Sequence, residues 1–167
     1  MRTKLFTLIG AASIALLAGC ATRPVTLSPV GPEPHGQDMT AAKGYLQVYS
    51  DTESPVIGEG PPYYHPHMGY NLYDHSGVRV RYVPNHIGDM DETPTLVRVP
   101  VGSYFVVAES SAYGRVTVPV VIQAGRETVI HLDRNWYPPA SIPDSRLVHL
   151  PDGEAVGWSG ATADAAE

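Results

Sequence analysis

The sequence predicts an all-β fold, a single antiparallel β-sandwich of about seven strands preceded by a signal peptide and a Pro-rich linker. Three observations predict it. Apolar and polar residues alternate with a period of two in short runs between Gly44 and Asp133. Gly and Pro, 16 of each in 167 residues, gather between those runs, where turns are needed. Helix-period patterns are scarce after residue 20.

The chain opens on the basic stretch Met1-Arg2-Thr3-Lys4, followed by an apolar run from Leu5 to Ala18. That run is shorter than the roughly 20 residues a membrane span requires, and its flanks are those of a secretory signal, so residues 1–19 are expected to be removed. It closes on Leu17-Ala18-Gly19-Cys20, which resembles the lipobox of bacterial lipoproteins. The resemblance implies diacylglycerol on the Cys20 thiol, cleavage between Gly19 and Cys20, and a further acyl chain, such as palmitate, on the new amine. One acyl chain binds a bilayer only marginally, whereas two or three hold it durably. Ala21 stands where an Asp retains many Gram-negative lipoproteins at the inner membrane, which implies an outer-membrane anchor facing the periplasm. The competing reading is an ordinary secretory signal with a cysteine near its cut. Cys20 is the sole cysteine, so no internal disulfide staples the fold.

Residues 20–43 read as the lipidated cysteine and a flexible linker, because Pro24, Pro29, Pro32 and Pro34 interrupt any apolar periodicity. The sandwich domain is expected over residues 44–135. Its first strand, Tyr45 to Ser50, puts Leu46 and Val48 on one face. Tyr70 to Tyr73 and Val78 to Val83 follow as a hairpin through Asp74-His75-Ser76-Gly77, with Gly77 left-handed and with Val78, Val80 and Tyr82 facing the core. Leu96 to Val99 and Tyr104 to Ala108 flank a Pro-Gly turn. Val116, Val118, Val120 and Ile122 alternate inward, as do Thr128, Ile130 and Leu132, while Pro119 marks an edge strand or a bulge. Residues 136–167 are expected to be a mostly disordered tail, with a brief strand at Leu147 to Leu150 and with Trp136 pinning the tail's root to the sandwich.

Pro100-Val101-Gly102-Ser103-Tyr104, Val107-Ala108, Tyr113-Gly114, Val120, Ala124-Gly125 and Leu132 together resemble the carboxypeptidase regulatory-like domains, which are prealbumin-like sandwiches. The resemblance is concentrated between Pro100 and Leu132 and rests mostly on turn chemistry. It implies a non-catalytic appendage or binding unit, and it brings no catalytic residues. The hydroxyisourate hydrolases, an enzyme branch of that fold, end in Tyr-Arg-Gly-Ser, a tetrapeptide this sequence lacks.

A formal charge of −6, without a dense Lys/Arg stripe, argues against nucleic acid, whose binders release counterions from a basic surface. No Gly-x-Ser-x-Gly elbow, His-Glu-x-x-His pair or phosphate-cradling Gly loop is present, so no enzyme is expected and no cofactor is implied. The least ordinary stretch is Tyr63 to His75. Tyr63, Tyr64, Tyr70 and Tyr73 are candidate ligand-binding residues, since tyrosines offer a flat apolar face and one hydroxyl to a glycan or an envelope protein partner. The plainer reading is that they complete a small core. His65, His67 and His75 are weak metal candidates beside Asp74, against a reading as exposed histidines around a proline. Asp89, Asp91 and Glu92 could hold Ca²⁺ but do not match the calcium-loop spacing, and a solvated acidic turn is the better reading. Arg79, Arg81 and Arg98 could line one outer face or simply be its polar side.

The sequence thus points to a non-catalytic envelope lipoprotein serving as an interaction or structural module. The alternatives are a periplasmic metal-binding protein using His65, His67 and His75, or a glycan-binding module using Tyr63 and Tyr64.

Overall fold

The computed structural model describes residues 26–32, 43–53, 64–88 and 90–160. The signal peptide, Cys20, Tyr63 and Asp89 lie outside the described residues. Within them the fold is all-β and sandwich-like, without an α-helix. Its strands are β1 (Val30–Gly31), β2 (Lys43–Tyr49), β3 (Tyr70–Asp74), β4 (Arg79–Val83) and β5 (Val97–Pro100), then β6 (Gly102–Ser110), β7 (Gly114–Ile122), β8 (Glu127–His131), β9 (Leu147–His149) and β10 (Ala155–Ser159). Seven form a sheet in the order β4-β3-β6-β7-β1-β10-β9, and three form a second sheet in the order β5-β2-β8. Both sheets are mixed, not purely antiparallel as expected, because β2 runs parallel to β8 and β1 parallel to β7.

One apolar core serves both sheets. The smaller contributes Leu46, Val48, Val99 and Ile130, and the larger contributes Leu72, Val106, Val118 and Ile122. These are the residues whose period-two alternation the sequence displays, and sequestering them from water at about 25 cal/mol per Å² is the main term favouring the fold. The long β6–β7 ladder runs without a register shift from Gly102↔Ile122 to Ser110↔Gly114, so Pro119 sits in no bulge. On its other flank β7 pairs only with the two-residue β1, at Val120, which leaves most of that flank edge-like and tolerant of a residue without an N–H. At one corner the sheets are tied by the bridge Pro32↔Thr128 and by the Thr128 hydroxyl donating to the Val121 carbonyl at 2.9 Å.

The β3–β4 hairpin forms as expected but with the opposite face inward. The Asp74 carboxylate accepts from the Ser76 N–H and hydroxyl and from the Val78 N–H, and Gly77 takes φ +81°. The register then slips between the pairs Tyr73↔Arg79 and Leu72↔Arg81. One extra residue in a ladder reverses every side chain beyond it. Val83 therefore enters the core opposite Tyr70, whereas Val80 and Tyr82 are exposed on an edge strand and Val78 is exposed at the end of the turn.

Two further expectations are corrected. Residues 20–43 are not linker throughout, for Leu27 is buried and Val30 lies fully buried in the large sheet between β7 and β10. Residues 136–160 are not a disordered tail either. They carry a 3₁₀ turn at Asp144–Arg146 and the β9–β10 hairpin, which buries Val148, Leu150 and Val156. The prolines that suggested disorder sit in connections, and β10 is accepted only because β1 offers it a free edge. That contact is close enough to require glycine: a Cβ on Gly157 would lie 2.7 Å from Cγ1 of Val30, and one on Gly31 2.6 Å from Cα of Gly160. Val30→Ala is expected to lower stability by about 2 kcal/mol, read from urea denaturation. A linker position would leave the midpoint unmoved.

Candidate functional site

The strand ends near Ser50 carry a buried polar floor. Beyond Leu46 the strand β2 has no β5 neighbour, so its free backbone groups need other partners. Side chains supply them. Asn85, fully buried, donates from Nδ2 to the Val48 carbonyl at 2.6 Å and to Ser50 Oγ at 3.1 Å, and its Oδ1 accepts from the Thr95 N–H. The Ser50 hydroxyl donates to the Met68 carbonyl, and His67 Nδ1 lies 2.6 Å from the Ser50 carbonyl. A carbonyl only accepts, so Nδ1 of His67 bears the hydrogen of this bond. The antiparallel bridge Thr52↔His67 completes the attachment of this loop.

Above this floor lies a groove of about 470 Å³ lined by Tyr49, Thr52, His65, His67, Glu92 and Asp133. From it an aromatic ladder runs across the molecule. The His67 ring meets Tyr49 edge-on at 5.5 Å, Tyr49 stacks on His131 at 4.8 Å, and His131 stacks on Trp136 at 4.5 Å. Trp136 meets Trp158 at 6.2 Å, and the Arg146 guanidinium lies 5.7 Å from the Trp158 ring centroid. The parallel register Tyr49↔His131 sets the first stack, since paired residues of adjacent strands project to the same side. Between two rings, His131 is largely desolvated. Burial pushes its pKa down to about 4, with Asp133 opposing and His67 reinforcing the shift.

The ladder leads into a second groove, of about 520 Å³, beside the β9–β10 hairpin. Trp136 and Tyr137 line it. Arg134 lines it as well, its Nε donating to Glu154 at 2.9 Å and its Nη2 donating to Asp152 at 2.7 Å. His149 and Asp144 face each other at 3.2 Å on its rim. Arg134 is the one described non-glycine residue with positive φ, at 64°. The two carboxylates hold the guanidinium and raise its pKa, Glu154 chiefly and then Asp152.

The residues singled out in the sequence meet different fates. Tyr70 is a core residue, fully buried with its hydroxyl unpartnered, and burial pushes its pKa up, so it binds no ligand from solvent. Tyr73 is half-buried on the outer side of β3 opposite Phe105, away from the grooves, and Tyr64 is half-buried beside His65. His65 and His67 share the first groove, where the His65 N–H donates to Glu92 at 2.7 Å. His75 is exposed in the β3–β4 turn, a whole strand away from His67 and so more than about 15 Å distant. The set His65, His67 and His75 is therefore not assembled, and among the described residues no three His, Cys, Asp or Glu side chains gather to hold a metal ion. Asp91 closes its own loop by accepting from the Thr93 and Ile87 N–H groups. Arg79 and Arg81 belong to one sheet and Arg98 to the other, so they line no common face.

Comparison with protein-family models, with curated proteins and with solved structures returns no match.

The neutral form of His131 is favoured in the folded protein, while an unfolded histidine takes up its proton near pH 6.5. Its contribution to stability is thus present above pH 6.5 and is lost as the pH falls toward 4. Each pKa unit corresponds to about 1.4 kcal/mol, and solvent at the ring edge screens part of the effect, so a loss of about 2 kcal/mol is expected. Urea denaturation of the wild type and of His131→Phe at pH 7 and pH 4 measures it. The variant should lose less stability over that interval, and equal losses would contradict the assignment.

Proposed function

We propose that this protein is a non-catalytic lipoprotein of the cell envelope, acylated on Cys20 at the outer membrane and presenting its paired sheets as an interaction module. One observation carries the reading: the lipobox-like Leu17-Ala18-Gly19-Cys20 directly follows a basic start and an apolar run of signal-peptide length. The sequence similarity between Pro100 and Leu132 adds a regulatory-like, sandwich-type module to the same reading.

The surroundings of His67 and His131 favour a binding unit over a catalyst. General-base catalysis asks for an imidazole within reach of a nucleophile and able to exchange its proton near neutrality. His131 is stacked between two rings and titrates near 4. His67 uses Nδ1 on a backbone carbonyl, and the Ser50 hydroxyl beside it is buried and turned to Met68. What these residues offer is a fixed surface of rings and hydrogen-bonding groups at the end of a rigid scaffold, the usual composition of recognition sites.

Cys20→Ser is expected to abolish incorporation of radiolabelled palmitate and to move the protein from the membrane fraction to the soluble fraction, with the melting temperature unchanged. A mature chain starting elsewhere than Cys20, shown by mass spectrometry of the wild type, would remove the basis of the proposal.

A further inference from the structure

We infer that the groove between Trp136, Tyr137 and the β9–β10 hairpin is a binding site for neutral saccharide chains. The inference goes beyond the envelope reading and concerns residues other than the tyrosines that suggested glycan binding in the sequence.

Three features of the groove converge on this ligand class. The first is an aromatic wall. Tyr137 is 85% exposed, an unusual state for a large ring, and it adjoins Trp136, which His131 supports from behind and which lines the groove. A ring fixed as Trp136 is gives a flat apolar surface at little entropic cost, which suits the C–H face of a pyranose, and Tyr137 offers a second exposed ring beside it.

The second feature is a set of planar polar groups held in place within the same lining. Arg134, Asp152 and Glu154 form one hydrogen-bonded array, and the Asp152 carboxylate also accepts from the Glu154 N–H at 3.1 Å. A carboxylate has about four acceptor sites and a guanidinium five donors, so this array keeps unused capacity for hydroxyl groups, which both donate and accept. Arg134 holds a left-handed backbone that side chains rarely adopt, and such outliers gather where a side chain must be aimed. The third feature is charge. Asp144, Asp152 and Glu154 outnumber the one guanidinium, so phosphates and uronates are repelled. Asp152 and Glu154 already face Arg134, and Asp144 faces His149, so no bare carboxylate pair is left to draw in a polycation. A volume of about 520 Å³ is within the range of small-ligand clefts.

The chain has two tryptophans, and both belong to the ladder beside this groove, so intrinsic fluorescence reports on it directly. The full chain in detergent is titrated with a tetramer of N-acetylglucosamine, a glucose tetramer, a galacturonate tetramer and tetralysine. A saturable change in tryptophan emission with either neutral sugar is expected. Response to the acetylated tetramer alone points to a cell-wall source, and response to both points to neutral polysaccharide generally. Tyr137→Ala, at an exposed position, should weaken binding about tenfold with no change in melting temperature. Three results would overturn the inference: no emission change with either neutral tetramer, tighter binding of galacturonate or tetralysine, or wild-type affinity in Tyr137→Ala. None of them bears on acylation of Cys20, which palmitate labelling reads separately.

Discussion

The molecule depends on one narrow contact, the insertion of Val30 and Gly31 between β7 and β10. A two-residue strand contributes few hydrogen bonds, but it extends the large sheet by two further strands, β10 and β9. Glycine at 31 and 157 lets three backbones come together where any Cβ would intrude. Without this contact the β9–β10 hairpin would be an isolated two-stranded unit, which is marginal in water. Trp158 would have no fixed position, and the ladder would lose its last ring and the second groove its hairpin wall.

Polar side chains do comparable work at the opposite end of β2. Antiparallel and parallel partners cover that strand unequally, and Asn85 substitutes for the missing neighbour by bonding the Val48 carbonyl, while the Gln47 side chain reaches out from β2 to the Pro94 carbonyl. Leaving those carbonyls buried and unpaired would cost more than the hydrogen bonds themselves contribute, which explains why a fully buried asparagine is found in a core of valines. The floor so formed fixes His67, and through His67 and Tyr49 the ladder begins from a rigid base.

Much of the architecture was legible because it is local. Alternation located Leu46 and Val48, the four inward residues of β7, and Ile130 and Leu132; the Asp74-to-Gly77 sequence located its hairpin. What failed had non-local causes. The inward face of β4 was reversed by a single register slip that no run of residues announces. The segments around Val30 and after Trp136 looked like linker and tail because Pro dominated their composition, yet short apolar alternations, Val148 with Leu150 among them, were visible within. The ladder was beyond reach, since Tyr49, His131, Trp136 and Trp158 are brought together only by sheet pairing and share no spacing. Of the tyrosines chosen for binding, Tyr70 obeys the plainer rule that rings complete small cores, and the exposed ring that matters, Tyr137, sat in a stretch read as disordered.

The early burial of the chain also limits geometry at a membrane. Leu27 already belongs to the core, so if Cys20 carries lipid, as proposed, the seven residues from it to Leu27 span at most about 25 Å when fully drawn out. A long Pro-rich spacer would let the module roam through the periplasmic gap. On that proposal so short a span would hold it near the headgroups, where only structures lying close to the bilayer come within its grasp.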